Sequence, residues 1–355
     1  MKNVYLIASK KNWIDTRSLE TLKKISTYKG IKRVVALPDL SVGHVPNGVA
    51  IVSKDRIYPH LIGGDIGCGM SLFEVPIKAK KIKPDKFVKY LRKIDSLDDI
   101  KTEKQNLGYH LGSIGKGNHF AELHRVHKIE DETLFTYLGM DKNSLYTLIH
   151  SGSRAYGQSV FDSVAGSYNP SEGLDARSIE AQNYIKAHNK AIEYAQKSRE
   201  EITLKLLKAI KIDTSFKKIS DTAHNSITKN RGFWLHRKGA TPTNKGAVII
   251  AGSRGSLSYL LMPSDNTAYS NYSLAHGAGR KWERRSAEAK LKNLYTKESL
   301  SRSIIGSRVI CSDSKLLYEE APEVYKNIDI VIQDLVDAKL ATVIASFKPI
   351  LTYKE

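Results

Sequence analysis

A mixed α/β (α+β) fold in one large domain over residues 1–355, with central sheets flanked by helices, is what the sequence predicts. Short apolar, β-branched runs recur along the chain, and separate segments carry apolar residues at helical spacing. There is no internal repeat, low-complexity tract or interdomain linker. Hydrophobic residues make up 41% of the chain, enough for a substantial core and too many for disorder.

Residues 33–37 (RVVAL) and 49–52 (VAIV) read as buried strands punctuated by Pro38, Pro46 and glycines, with Asp39 just after the first. From Lys78 to Lys93 basic residues interleave with Ile, Phe, Val and Leu, as on a core-facing helix with a wet lysine side. LYTLIHSGSR, 145–154, is a buried strand that delivers His150 at its C-terminal end. Between Tyr156 and Arg177, Gly, Ser, Asn and Pro predict a mobile loop. Ala181, Ile185, Ile192, Ala195, Ile202, Leu206 and Ile210 predict long surface helices. Residues 236–261 read as a basic loop, a strand from Ala247 to Ala251 and a Gly/Ser turn. AHGAGRKWERR leads into a helix-like basic stretch. Ile328, Val331, Ile332, Leu335 and Val336 form an amphipathic helix, followed by a closing strand and a basic tail.

Lys and Arg total 56 against 37 Asp and Glu, a net charge of +19 spread along the chain, which favours a polyanionic partner over a membrane. A solvated Lys-rich surface explains the same charge equally well. The two cysteines, Cys68 and Cys311, exclude a disulfide framework. No run approaches the ~20 apolar residues of a membrane span, and no signal-peptide pattern opens the chain. A soluble, cytoplasmic protein is expected.

The chemistry concentrates where glycine meets potential ligands. GGDIGCGM, 63–70, sets Asp65 and Cys68 among four glycines, and GYHLGSIGKGNHFAEL, 108–123, ends in Asn118, His119 and Glu122. The GKG there lacks the full phosphate-loop pattern. His150 and His224 follow, each beside Ser or Asn. Any one of these histidines is more readily a satisfied polar residue than a ligand. Together with Asp65 and Cys68 they offer carboxylate, thiolate and imidazole from separate turns, and a thiolate can bridge two divalent ions. Two ions about 3.5–4 Å apart hold a triphosphate and stabilise phosphoryl transfer.

These motifs, with PD at 38–39, HSGSR, AHN at 223–225, RKGAT, GS-x-G-x-x-SY, HGAGR and APE-x-YK-x-I-D, resemble the RtcB family of GTP-dependent RNA ligases over essentially the whole chain. The resemblance implies a mixed α/β fold unrelated to the Rossmann fold. It also implies joining of RNA 3′-phosphate or 2′,3′-cyclic phosphate ends to 5′-hydroxyl ends, in RNA repair or tRNA splicing. Asp65, Cys68 and His119 would then hold one Mn²⁺, and Cys68, His150 and His224 a second. His276 would be the nucleophile that takes GMP from GTP. Asn118, Arg154, Asn225 and Lys238 would bind phosphates, with Gly277, Ala278, Gly279 and Arg280 beside the nucleophile. Glu122, Ser253, Ser258 and Lys354 would contact guanine, although the two serines also suit a turn and Lys354 a solvated tail. Leu40, Ser41, Gly64 and Arg254 depart from the family pattern and mark a short, divergent subgroup. Two rivals share the residues: a metal-dependent cyclic phosphodiesterase that needs neither GTP nor His276, and a non-catalytic RNA-binding subunit working with other RNA-repair proteins.

Overall fold

The apolar runs pair into two large sheets and two small two-stranded ones in the computed structural model, which describes residues 3–102 and 111–355. The larger sheet runs, in spatial order, Val248–Ile250, Ser258–Pro263, Ala341–Lys354, Phe120–Ile129, Ser144–Ser151, Gly69–Lys78 and Lys217–Ala223, all antiparallel. Arg308–Cys311 adds in parallel to Ala341–Lys354. Neighbouring side chains on each central strand enter different cores. Phe73 and Ile149 pack with Ile202, Leu206 and Ile210 on one face, while Leu72 and Leu148 pack with Leu260 and Phe347 on the other. Burial of both faces explains why Ser144–Ser151 is apolar along most of its length instead of alternating.

The second sheet runs Val4–Leu6, Ile31–Ser41, Asn47–Ser53, Phe233–Lys238 and Asn225–Asn230. Only His224 separates Lys217–Ala223 of the first sheet from Asn225–Asn230 of the second, so this histidine sits at the junction between them. Ala240–Pro242 and Ser273–Ala275 form a further antiparallel pair.

The structure revises several expectations. Asp39 lies inside the strand Ile31–Ser41, not after it. The strand Gly69–Lys78 continues to Lys78, and Pro84, favoured at a first helical position, starts a helix of only Pro84–Leu91. The expected loop after Tyr156 begins with the helix Ala155–Asp162, whose Gly157 and Val160 are buried. A single 31-residue helix, Ile179–Ala209, replaces the expected set; Ser178 caps it by accepting the Ala181 N–H at 3.1 Å. It is no surface helix, because Ala181, Tyr184, Ala191, Ala195 and Arg199 are buried beside Ile202 and Leu206. His236 to Lys238 belong to a strand where a basic loop was expected. The supposed basic tail is the end of a strand, and Lys354 is 4% exposed. Residues 108–110 of the second glycine-dense stretch lie outside the described residues. Among those described, no helix is long and apolar enough to cross a membrane.

Two core histidines set an acid limit on this fold. His188 accepts the Ile227 N–H at 2.9 Å through Nε2 and contacts Asn189 Oδ1 at 3.0 Å through Nδ1. His236 accepts the Tyr58 N–H at 3.0 Å. Both are fully buried, and burial lowers His188 to about 4 and His236 to about 3. The unfolded chain titrates these rings near ~6.5, so below that pH it binds protons the fold refuses, and stability falls as pH falls. The pair should cost about 3 kcal/mol between roughly pH 6.5 and 5. Denaturant midpoints that stay level across that window would contradict this.

Candidate active site

Four adjacent strands of the large sheet each present one potential ligand at the same end. His119 immediately precedes Phe120–Ile129, and His150 is the penultimate residue of Ser144–Ser151. Cys68 immediately precedes Gly69–Lys78, and His224 immediately follows Lys217–Ala223. The registers Phe120↔His150, Gly69↔Ser151 and Gly69↔Ala223 bring them level. Asp65 joins from the preceding turn, where the Cys68 N–H donates to its carbonyl at 3.2 Å.

Two overlapping triads result, Cys68–His150–His224 and Asp65–Cys68–His119, with the donor atoms of each within 4.8 Å of one another. Cys68 Sγ lies 3.3 Å from Nε2 of both His119 and His150. His150 Nε2 is 3.3 Å from His224 Nε2, and His119 Nε2 is 3.3 Å from Asp65 Oδ2. The Asn118 carbonyl, 3.1 Å from His150 Nδ1, can only accept; Nδ1 therefore carries the proton and Nε2 keeps its lone pair toward Cys68. Burial, reinforced by neighbouring histidines, holds His150 and His224 well below the usual imidazole value, so both are neutral. Burial and the Asp65 carboxylate push the Cys68 thiol well above its ordinary value. Burial would raise Asp65, but His119 outweighs it and holds the carboxyl low.

His276 faces this set from the other side, its ring centroid 4.6 Å from that of His224. It follows the strand Ser273–Ala275, and its Nδ1 meets Asp39 Oδ2 at 2.5 Å while its backbone N–H donates to the same oxygen at 3.0 Å. A carboxylate there fixes the proton on Nδ1 and leaves Nε2 as the nitrogen with a lone pair. Asp39 is fully buried and fenced by glycine: a Cβ on Gly48 would lie 2.7 Å from Asp39 Oδ1, and one on Gly279 would lie 2.2 Å from its carbonyl. Both glycines have positive φ, +82° and +72°, so only glycine meets both demands without strain.

A cavity of 720 Å³ joins the triads to His276 and is lined by fifteen of the eighteen residues singled out from sequence. Lys238 reaches its wall with Nζ donating to the Ile62 carbonyl at 2.6 Å, and Asn225 is braced by the Gly239 N–H at 2.8 Å. Glu122 is buried between Thr352 (2.6 Å) and His124 (2.8 Å). Lys354 donates to the His119 carbonyl at 3.0 Å. Arg280 is spent on the C-terminal end of the helix Ser314–Glu319, bonding Glu320 at 2.9 Å and the Glu319 carbonyl at 2.8 Å. The other three stand off the cavity. His119 lies behind Asp65 and Cys68; Arg154 donates to His119 Nδ1 at 2.8 Å; Ser258 accepts the Gly252 N–H at 3.2 Å within the turn. Ser253 lines the cavity while also bonding Ser256 in that turn.

Sequence reasoning gave no role to Asp39, whose signal was an acid in an apolar strand. It missed Glu320 entirely. Glu320 is buried where Arg280, Arg284, Lys354 and Tyr325 converge; burial would raise it, but the three cations and the Tyr325 hydroxyl hold it below the usual carboxylate range. Nothing in the sequence separates it from its neighbour Glu319, which is only half-buried; the distinction arises from packing alone.

The departures have local explanations. At Gly64 a Cβ would lie 2.1 Å from the Gln158 carboxamide, an exposed side chain that occupies the space. Leu40 is buried with Leu22 and Ile25. Ser41 lines the cavity, and Arg254 is buried with Nη2 donating to the Leu317 carbonyl at 2.8 Å.

Carboxylate, thiol and imidazole groups gathered opposite a carboxylate-oriented histidine, on a basic cavity, are a donor set compatible with divalent metal. Comparison with known proteins narrows this reading. The family model described as tRNA-splicing ligase RtcB matches residues 21–100 and 90–355. The chain is 41% identical to RNA-splicing ligase RtcB2 of Escherichia coli over 99% of its length and 95% of that protein. It is 28% identical to tRNA-splicing ligase RtcB of Nanoarchaeum equitans (96% and 91% covered) and 26% identical to that of Archaeoglobus fulgidus (95% and 91%). The chain belongs to the RtcB family.

Proposed function

We propose that this chain, as a single domain, is an RNA ligase. It joins RNA 3′-phosphate or 2′,3′-cyclic phosphate ends to 5′-hydroxyl ends in RNA repair or tRNA splicing, at the expense of GTP. The observation that carries the reading is His276, oriented by Asp39, facing two overlapping ligand triads across one cavity. The names of the relatives, RNA-splicing and tRNA-splicing ligases, support the reaction class.

The donor set fits divalent cations: the neutral imidazoles of His150 and His224, the ring of His119, a carboxylate held in its charged form and a thiol between them. Asp65, Cys68 and His119 would hold one Mn²⁺, and Cys68, His150 and His224 the other. Bound there, they would neutralise phosphate oxygens and stabilise the charge of phosphoryl transfer. Thiolate and imidazole intrinsically prefer Zn²⁺, so the assignment of Mn²⁺ follows the family.

His276 Nε2 attacks the α-phosphorus of GTP; an N–P bond forms as the P–O bond to pyrophosphate breaks. Asp39 balances the positive charge on the ring. Lys238, Asn118 and Asn225 hold phosphate oxygens, and Arg154 reaches them on leaving His119. Burial lowers the Lys238 ammonium, so an anionic ligand beside it gains a strengthened interaction. Glu122, Ser253, Ser258 and Lys354 serve the guanine end. GMP then passes to the RNA 3′-phosphate, giving RNA-(3′)pp(5′)G, and the 5′-hydroxyl displaces it. The +19 charge suits two RNA ends.

Incubation with Mn²⁺ and α-labelled GTP should leave an acid-labile label on the protein that His276→Ala abolishes. Opening of cyclic phosphates without GTP, indifferent to His276→Ala, would instead establish a phosphodiesterase.

A further inference from the structure

Arg199 is a fully buried arginine in the middle of the helix Ile179–Ala209, and its guanidinium points into the sheet at the ligand-bearing end. Nη1 donates to the Gly67 carbonyl and to the Ser151 carbonyl, each at 2.9 Å. Nε donates to Ser71 Oγ at 2.8 Å, and Nη2 to Asp221 Oδ1 at 2.5 Å. These partners stand in a particular relation to the ligands. Gly67 is joined directly to Cys68, Ser151 directly to His150, and Asp221 is on the strand that ends one residue before His224. Gly67 lies just before the strand Gly69–Lys78 and Ser151 is the last residue of Ser144–Ser151, so both carbonyls are at the ligand-bearing end of the sheet.

We infer that Arg199 is a positioning residue: one guanidinium ties together the three strand ends that carry Cys68, His150 and His224, and so sets the spacing of that triad. The inference rests on the metal-site reading above. Its physical basis is the shape of the group. A planar fork with five donors can bridge two carbonyls and a carboxylate at once, which a lysine ammonium on a flexible stem cannot do with the same geometry. Asp221 supplies the counter-charge that permits the fork to be buried. Without Arg199 the three strand ends lose a common frame. Partners of this kind behind a ligand set typically change metal affinity by about 10–100-fold.

Removal of Arg199 alone would strand the Asp221 carboxylate in the interior, so the test replaces the pair by apolar residues of similar shape, Arg199→Met with Asp221→Leu. Co²⁺ is titrated into the full-length protein against a competing chelator, with the sulfur-to-cobalt charge-transfer band and the ligand-field bands recorded, and the melting curve is measured alongside. The expected result is a cooperatively melting protein whose Co²⁺ affinity is weakened by about 10–100-fold and whose ligand-field bands are altered. A lowered melting temperature with unchanged affinity and bands in the folded protein would overturn the inference, since a purely structural residue gives that result. If the double variant does not melt cooperatively, Arg199→Lys carries the same two outcomes. Cys68→Ala is the control for the site itself and should lose the charge-transfer band. Absence of that band from the unsubstituted protein would remove the metal reading and the inference with it.

Discussion

Asp39→Asn should slow guanylylation of His276 by roughly 10²–10⁴-fold in a single-turnover experiment, with divalent-metal affinity near that of the unsubstituted protein. Both the ring Nδ1–H and the backbone N–H of His276 meet one oxygen of Asp39, Oδ2. An asparagine carbonyl can occupy that place, so the ring stays where it is. What disappears is the negative charge that stabilises the imidazole as it turns cationic on attacking phosphorus. His276→Ala should abolish the label outright, a loss on the order of 10⁴-fold or more, since it removes the nitrogen that would bond phosphorus. Equal, complete loss in both variants, accompanied by weakened metal binding, would mean that Asp39 is a structural prop and not a partner of the nucleophile.

Cys68→Ala should remove metal from both triads at once and abolish guanylylation, whereas Cys311→Ala should leave both intact. Cys68 is the one residue common to the two triads; Cys311 bonds the Asp313 carbonyl at 3.2 Å and belongs to neither. The same residue sets a pH dependence. Its buried thiol, held above the usual value, is protonated through the neutral range, and a cation must displace that proton to bind. His150 and His224 are already neutral and release nothing. Affinity should therefore rise with pH by up to about tenfold per unit over roughly pH 6.5–8.5, one proton being released per Cys68 engaged. Chelator-competition titrations at several pH values read this directly. A flat profile would show that the thiol does not take part.

How much of this could be read from sequence depended on the kind of information each residue carries. The strand Ser144–Ser151 was legible as a short, mostly apolar run, and the helix Ile328–Asp337 because burial of one face writes a period into the chain. The ligands were legible because Asp65, Cys68, His119, His150 and His224 are rare side chains in glycine-, serine- or asparagine-rich surroundings. Their convergence was not, since it depends on the register of four strands drawn from residues 69 to 223. Glu320 and Arg199 were invisible for a related reason. A charge buried by tertiary packing has the same local sequence as one on a wet helix face, and the long helix was accordingly misjudged as a surface element. The helix Ala155–Asp162 was hidden by its composition: glycine and serine normally mark loops, but here Gly157 lets the helix press against the Gly64 and Ile66 backbone.

The position of the last strand bears on how the molecule can be made. Ala341–Lys354 does not lie at an edge; it is inserted between Ser258–Pro263 and Phe120–Ile129 and makes the most extensive strand pairing in the protein with the latter. Residues separated by more than two hundred positions must meet before the sheet closes, an arrangement of high contact order and slow assembly. During synthesis the strand Phe120–Ile129, which His119 precedes, therefore waits with an open hydrogen-bonding edge until residues 341–354 have left the ribosome. The ligand-bearing end of the sheet is thus complete only after translation has passed that point. Until then it is a chain that chaperones must keep from pairing with its neighbours.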